Sequence, residues 1–303
     1  TWRARRMTSE SVIGEFAVNP ECVCSIGDIR DLEKRFGFRH GAVISEFPRS
    51  WIAEVKEQAQ RLEEPTRTAF KDRVSRLRET AMVRMGRNGT GTDWLARTLQ
   101  SHSTKPFHAI LHKIDDGPCR CFADALDDDA LFSVLREAKV TRTAQSLVSA
   151  IQPLVQGSER FALIDPYFKP DRYFGKFVEE LIRCATAITR KRIYIDVHLE
   201  SVSNVGVDAS EIFSFGEWVA QLGTQLTVTV SWWKDRGNGE LHPRYLITER
   251  AGVRFDRGFK IPSDMDQQNH DTDVIMMTDA IEREVESRYS ASYAPLEILH
   301  REE

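Results

Sequence analysis

The segment from Arg160 to Leu199 constrains this chain most, because its apolar pattern changes period twice in a short span. Phe161-Ala162-Leu163-Ile164 is a continuous apolar run that stops at Asp165-Pro166, as a buried strand does. Phe174, Phe177, Val178, Leu181, Ile182 and Ala185 then share one helical face, and Arg192-Ile193-Tyr194-Ile195-Asp196-Val197-His198-Leu199 returns to strand character. Strand, helix and strand make a βαβ unit, which requires two parallel strands with a helix packed across them.

The alternation extends in both directions. Ala144, Leu147, Val148, Ile151 and Val155 mark a preceding helix; Ile212, Phe215, Val219 and Leu222 mark a later one. Strands are predicted at Leu226–Trp232, from Leu241, at Val274–Met277 and at Leu296–Leu299, with a helix over Asp279–Tyr289. Residues 141–303 therefore read as an α/β domain, a mixed sheet with helices on both faces.

Residues 1–140 read differently, as a separate and mainly α-helical domain. Asp28 is placed to cap a helix over Ile29–Phe36, and Ser50 one whose stripe is Trp51, Ile52, Val55, Ala59 and Leu62. A third helix, Thr66 to Met85, carries Phe70, Val74, Leu77 and Ala81 on one side. Its polar flank and the residues beyond it are basic: Arg67, Lys71, Arg73, Arg76, Arg78, Arg84 and Arg87. Such a ridge suits a nucleic-acid backbone, where phosphate neutralisation releases counterions, and it equally suits a solvated helix face. Strand character within these residues is read at Pro106–His112, with extended links near Ser11–Ser25 and Phe38–Ile44.

Charge divides the chain in the same place. The net charge is −4; residues 1–140 hold 23 Lys and Arg against 21 Asp and Glu, and residues 141–303 hold 19 against 25. That balance argues against a generic polyanion binder and says nothing about a local basic patch. No apolar run reaches the roughly 18 residues of a membrane span. The basic start Thr1-Trp2-Arg3-Ala4-Arg5-Arg6 has no apolar core behind it, so a cytoplasmic protein is expected, in keeping with an odd count of five cysteines. Cys22-x-Cys24 and Cys119-x-Cys121 together offer four thiolates, but zinc sites favour a two-residue gap. His108 and His112 have the spacing of a metal pair without the accompanying glutamate, and Asn88-Gly89-Thr90-Gly91 lacks the lysine of a phosphate loop. No metal and no cofactor is expected. Asp127, Asp128 and Asp129 suit a helix N-terminus.

Ligands of open α/β sheets gather at the carboxyl ends of strands, which selects Asp165 and Tyr167. The other candidate stretch is Leu241-His242-Pro243-Arg244-Tyr245-Leu246-Ile247-Thr248-Glu249. Period-two alternation sends His242 and Arg244 to one face. An imidazole can attack phosphorus or carry its proton, a guanidinium can grip two phosphate oxygens, and a carboxylate can orient the ring. Arg250, Arg254 and Arg257 follow closely, with Gly258-Phe259 behind them.

This order resembles the His-x-Lys-(x)4-Asp motif of the phospholipase D-like superfamily, with Arg244 in the lysine position and Glu249 in the aspartate position. The pairing of Asp165-Pro166-Tyr167 with His242-Pro243-Arg244-Tyr245 looks most like the phospholipase D-like C-terminal domain of MIT-domain proteins and its bacterial relatives. The resemblance covers residues 141–303 and includes neither a second His-x-Lys motif nor the Gly-Ser-x-Asn that follows it in the superfamily.

The resemblance implies His242, Arg244 and Glu249 as catalytic residues, and Asp165, Tyr167, Tyr245, Arg254 and Arg257 around the phosphate. Arg67, Lys71, Arg73, Arg76, Arg84 and Arg87 are the candidate nucleic-acid contacts. Two functions follow: a phosphodiesterase or nuclease within a bacterial antiviral defence system, working as a homodimer with protein partners, or an inactive phosphate-binding or dimerisation scaffold. Asp196-Val197-His198-Leu199-Glu200 offers a metal-nuclease core, ranked below these because no lysine lies near it.

Overall fold

The computed structural model describes residues 11–133, 136–168, 171–188, 192–200, 218, 221, 226–235, 243–289 and 296–302. The basic start at residues 1–6, the predicted helix marked by Ile212, Phe215, Val219 and Leu222, and His242 lie outside them. The chain divides into two compact units, residues 13–135 and residues 136–303, the latter joined by the segment before Ile13.

Helices supply most of the regular structure of residues 13–135, as expected, but they pack on a parallel sheet that the sequence pattern did not assemble. Its strands are β1 (Gly14–Val18), β2 (Ala42–Ser45), β3 (Met82–Val83), β4 (Ala109–His112) and β5 (Cys119–Cys121), in spatial order β3-β2-β1-β4-β5. The reason is burial: every residue of β1 and β2 is buried, so the strands read as short apolar runs without alternation. Phe16 and Val18 face a core with Trp51, Val55, Phe70, Val74 and Leu77. Ala17, on the other side, packs with Phe47, Trp94 and Phe107.

The helices are α1 (Ile26–Arg35), α2 (Trp51–Gln58), α3 (Thr66–Ala81), α4 (Trp94–Thr104), α5 (Phe122–Asp127) and α6 (Asp129–Phe132). Ser25, not Asp28, caps α1; Asp28 is the reciprocal member of a capping box. Helix α3 buries the four predicted residues but stops at Ala81, because Met82 and Val83 pair with β2.

Residues 136–303 form the α/β unit that the alternation predicts. Strands β6 (Glu137–Thr141), β7 (Arg160–Ile164), β8 (Ile193–Glu200), β9 (Leu226–Asp235), β10 (Tyr245–Thr248), β11 (Gly252–Phe255), β12 (Asp271–Met276) and β13 (Leu296–Glu302) build one mixed sheet, ordered β13-β9-β8-β7-β10-β11-β12-β6. Strands β7, β8 and β9 are parallel; β10, β11, β12 and β6 follow in antiparallel pairs.

Helices α7 (Ala144–Ala150), α8 (Gln152–Gly157) and α9 (Arg172–Thr186) are described in this half together with the helices Met265–Gln268 and Asp279–Arg288. On one face Phe177 of α9 meets the rings of Phe255 and Phe259. On the other, Ile164, Tyr245 and Ile247 pack with Trp233, Met277, Val285 and Tyr289. Helix α9 is capped by Asp171, whose carboxylate accepts the backbone N–H groups of Tyr173 and Phe174 at 2.8 and 3.1 Å.

Candidate anion-binding site

Strand direction decides which chain ends meet. Strand β10 runs antiparallel to β7, so the start of β10 lies beside the end of β7, with Tyr245 opposite Ile164. Strand β11 reverses again, and its carboxyl end returns to the same edge. Strand β12 then starts there and β6 ends there, with Thr141 opposite Asp271. Asp165, Arg244, Asp256-Arg257 and Arg142 are thereby delivered to one edge of the sheet from four separate segments.

Asp165 is 2% exposed. Its Oδ1 accepts the Tyr167 N–H at 3.0 Å and its Oδ2 the Phe259 N–H at 3.3 Å. Arg244 Nε stands 4.0 Å from Oδ1. Burial pushes the carboxyl pKa up to about 6, against the pull of those N–H groups and of Arg244. A buried carboxyl of this kind positions the loop and the guanidinium; as an anion it would repel phosphate. Asp165, expected around the phosphate, thus stands as the carboxylate neighbour of Arg244.

Arg244 is held from three sides. Its Nη1 donates to the Asp256 carbonyl at 2.9 Å, and its guanidinium carbon lies 4.8 Å from the centre of the Tyr167 ring, which is 45% exposed. Gly258, at φ 70°, passes so close that a Cβ there would meet Asp165 Oδ2 at 2.5 Å and Arg244 Cγ at 3.2 Å. Arg257, the residue before it, is exposed and makes no ion pair among the described residues. Arg142 donates to the Lys260 carbonyl at 3.3 Å. Burial, and then the charges of Arg257 and Arg244, lower its pKa. The charges of Arg257 and Arg244 thus bear on Arg142, and Arg244 of the three stands beside the buried Asp165 carboxyl.

The other predicted residues go elsewhere. Glu249 follows β10 at its far end, on the opposite edge of the sheet, where its two oxygens accept the backbone N–H groups of Glu159 and Arg160 at 2.8 and 3.0 Å. It closes the start of β7 and cannot orient a group beside Arg244. Tyr245 is 7% exposed and belongs to the apolar cluster under the helix Asp279–Arg288. Arg254, in register with Tyr245, projects from that same face. Neither joins Arg244, because period two sends adjacent residues to opposite faces. His198 accepts the Trp233 indole N–H at 3.0 Å and lies between Trp233 and Tyr289, so it is an aromatic-cluster residue.

In the first unit the basic ridge is largely neutralised from within. Arg87 pairs with Glu15 at 2.6 Å, with side chains 2% and 7% exposed, and its guanidinium carbon lies 3.5 Å from the Phe107 ring centre. Arg84 and Arg78 share Glu46, Arg73 pairs with Glu33, and Arg67 donates to the Leu62 carbonyl. Lys71 and Arg76 alone of the six expected contacts remain exposed without an ion pair among the described residues. Arg67, Arg73, Arg84 and Arg87 are thus each engaged by a partner within their own unit. No group of three or more His, Cys, Asp or Glu is arranged to hold a metal among the described residues. The five cysteines are free thiols.

Arg142 escaped the sequence reading, since the strand before it offers only Ala138 and Val140 as buried positions. Its position directly after the polar-apolar alternation Glu137-Ala138-Lys139-Val140 was the available signal.

No family model matches the sequence, and no curated protein matches it. Among solved structures the chain is similar to a phospholipase D family member, Nuc from Salmonella typhimurium, with a TM-score of 0.29 and 9% identity over 50% of this chain and 91% of that one. A likeness at that score carries no residue role to this chain. No helix among the described residues is long and apolar enough to cross a membrane.

Proposed function

We propose that residues 136–303 bind a phosphodiester group at the sheet edge, with Arg142, Arg244 and Arg257 as its cradle and Tyr167 beside it. One observation carries the reading: Arg244 bonds the Asp256 carbonyl and Arg142 the Lys260 carbonyl, so that these two arginines and Arg257 gather from three segments along residues 256–260. Guanidinium groups match phosphate oxygens in charge and in fork geometry, and an oxyanion between them offsets their mutual repulsion. His242 lies outside the described residues, two positions before Arg244, and its role as nucleophile rests on the sequence resemblance alone. The same holds for a place in an antiviral defence system and for a homodimer. Binding is the function with support from the site; cleavage would add to it.

The test is calorimetric titration of the full chain with a dinucleotide that carries a single phosphodiester. Binding should occur, and Arg244→Ala and Arg257→Ala should each weaken it at least fivefold. Absence of binding at millimolar dinucleotide, or affinity indifferent to both substitutions, would overturn the proposal. Appearance of mononucleotide product that His242→Ala abolishes would establish cleavage as well.

A further inference from the structure

A second basic group stands beside the first and is unused by a single phosphate. The segment after β11 links them: Arg257 belongs to the cradle, and Lys260, three residues later, belongs to the neighbouring group. Its backbone is tied on one side by Arg142, which donates to the Lys260 carbonyl at 3.3 Å, and on the other by the Ile261 N–H, which donates to the Tyr173 carbonyl at 3.1 Å. Around the half-buried ring of Tyr173, the Arg172 guanidinium carbon lies at 4.9 Å, Lys260 Nζ at 5.8 Å and Lys176 Nζ at 5.9 Å from the centre. Arg172 also donates to the Tyr173 hydroxyl at 2.8 Å.

The carboxylates present do not cancel this charge. Asp171 Oδ2 lies 4.0 Å from Lys260 while its Oδ1 caps α9, and this one carboxylate faces three cations. Arg172 and Lys176 are exposed and pair with no carboxylate among the described residues. The wider domain is acidic, with 19 Lys and Arg against 25 Asp and Glu over residues 141–303, so this concentration of cations at one edge is local.

We infer that the site takes a single-stranded nucleic acid, one phosphate seated on Arg142, Arg244 and Arg257 and further phosphates of the same strand on Lys260, Arg172 and Lys176, with Tyr167 and Tyr173 as faces against which bases stack. The inference rests on the proposed phosphodiester site and extends it from one phosphate to a strand. Three residues of chain span at most roughly 11 Å, which fixes the two groups within the reach of a few successive phosphates. Cations interleaved with tyrosine rings are the chemistry of sequence-tolerant strand binding, in which every base offers a π-face. A duplex hides those faces, and a lone phosphate or lipid headgroup fills only the first group.

The experiment compares the dinucleotide with a fluorescent ten-residue oligothymidylate, measuring anisotropy on the full chain. Wild type should bind the oligomer at least tenfold more tightly than the dinucleotide and more tightly than the same length of duplex. Lys176→Gln with Lys260→Gln should weaken the oligomer at least tenfold, reduce the salt slope by about 1.4, as expected for two phosphates on a single strand, and leave the dinucleotide within twofold. Tyr173→Leu should weaken the oligomer alone. Retained dinucleotide affinity certifies the fold of each variant.

Equal affinity for oligomer and dinucleotide, oligomer binding indifferent to Lys176, Lys260 and Tyr173, or preference for duplex or for anionic phospholipid vesicles would overturn the inference while the phosphodiester site stood. Loss of all binding in wild type would overturn both.

Discussion

Gly258 and Asp165 are packed so closely that a Cβ on the glycine would come within 2.5 Å of the carboxylate Oδ2. The glycine also holds φ at 70°, a region that costs an L-residue about 1 kcal/mol. Gly258→Ala must therefore displace a buried carboxyl that fixes both Tyr167 and Phe259. The expected result is a loss of roughly 1–3 kcal/mol in urea unfolding, together with weaker dinucleotide binding. Unchanged stability and affinity would mean that the loop rearranges at no cost.

Asp165 makes the domain sensitive to pH. Its folded pKa of about 6 exceeds the ordinary 3.8, so between those values the folded state holds more protons than the unfolded one. Its contribution is fully present below pH 4 and is lost as pH rises through 6. Asp165→Asn should remove this slope and raise stability at pH 7, by at most about 3 kcal/mol from the two-unit shift. Diester affinity should also rise as pH falls from 7 to 5, because protonation of Asp165 leaves Arg244 uncompensated. A phosphodiester does not itself titrate there, so a flat affinity profile in the wild type would contradict the proposed coupling.

Arg87 and Glu15 form a pair whose side chains are 2% and 7% exposed. Removing one member leaves the other charged and buried, so Arg87→Ala should cost about 3–5 kcal/mol in chemical denaturation. Arg76→Ala, on the exposed side of α3, should change stability by less than about 0.5 kcal/mol. Equal, small effects would return Arg87 to the class of surface cations.

Glu249 supplies a useful contrast with Arg244. Glu249→Ala removes the acceptor for two backbone N–H groups at the start of β7, and a destabilisation of about 1–3 kcal/mol is expected. Dinucleotide affinity should stay within twofold of wild type, measured by the same calorimetry as Arg244→Ala. A collapse of affinity with intact stability would restore Glu249 to the site.

Local periodicity carried the second unit a long way. The face of α9 from Phe174 to Ala185 is legible because each turn repeats the same choice, and β7 because it is an apolar run closed by Asp165-Pro166. The candidate pair Asp165 and Arg244 was legible for a related reason: both flank strands whose apolar character marks their ends. What adjacency in sequence could not show is which strand ends share an edge. Alternation along β10 put Tyr245 under a helix, and the strand's own length carried Glu249 to the opposite edge, although both sit within five residues of Arg244.

The sequence by itself determined the βαβ alternation, the amphipathic faces and the apolar stripe of α3, because those depend on neighbours three or four residues away. Only the tertiary structure decided that β1 to β5 pair into a parallel sheet, since strands buried on both sides lack alternation. It decided too that Arg87 is an internal tie and that Arg142 comes beside Arg244 and Arg257. A cation's role is set by the carboxylate or cation that long-range pairing brings beside it, and the residues that meet there are separated by tens to more than a hundred positions in the chain.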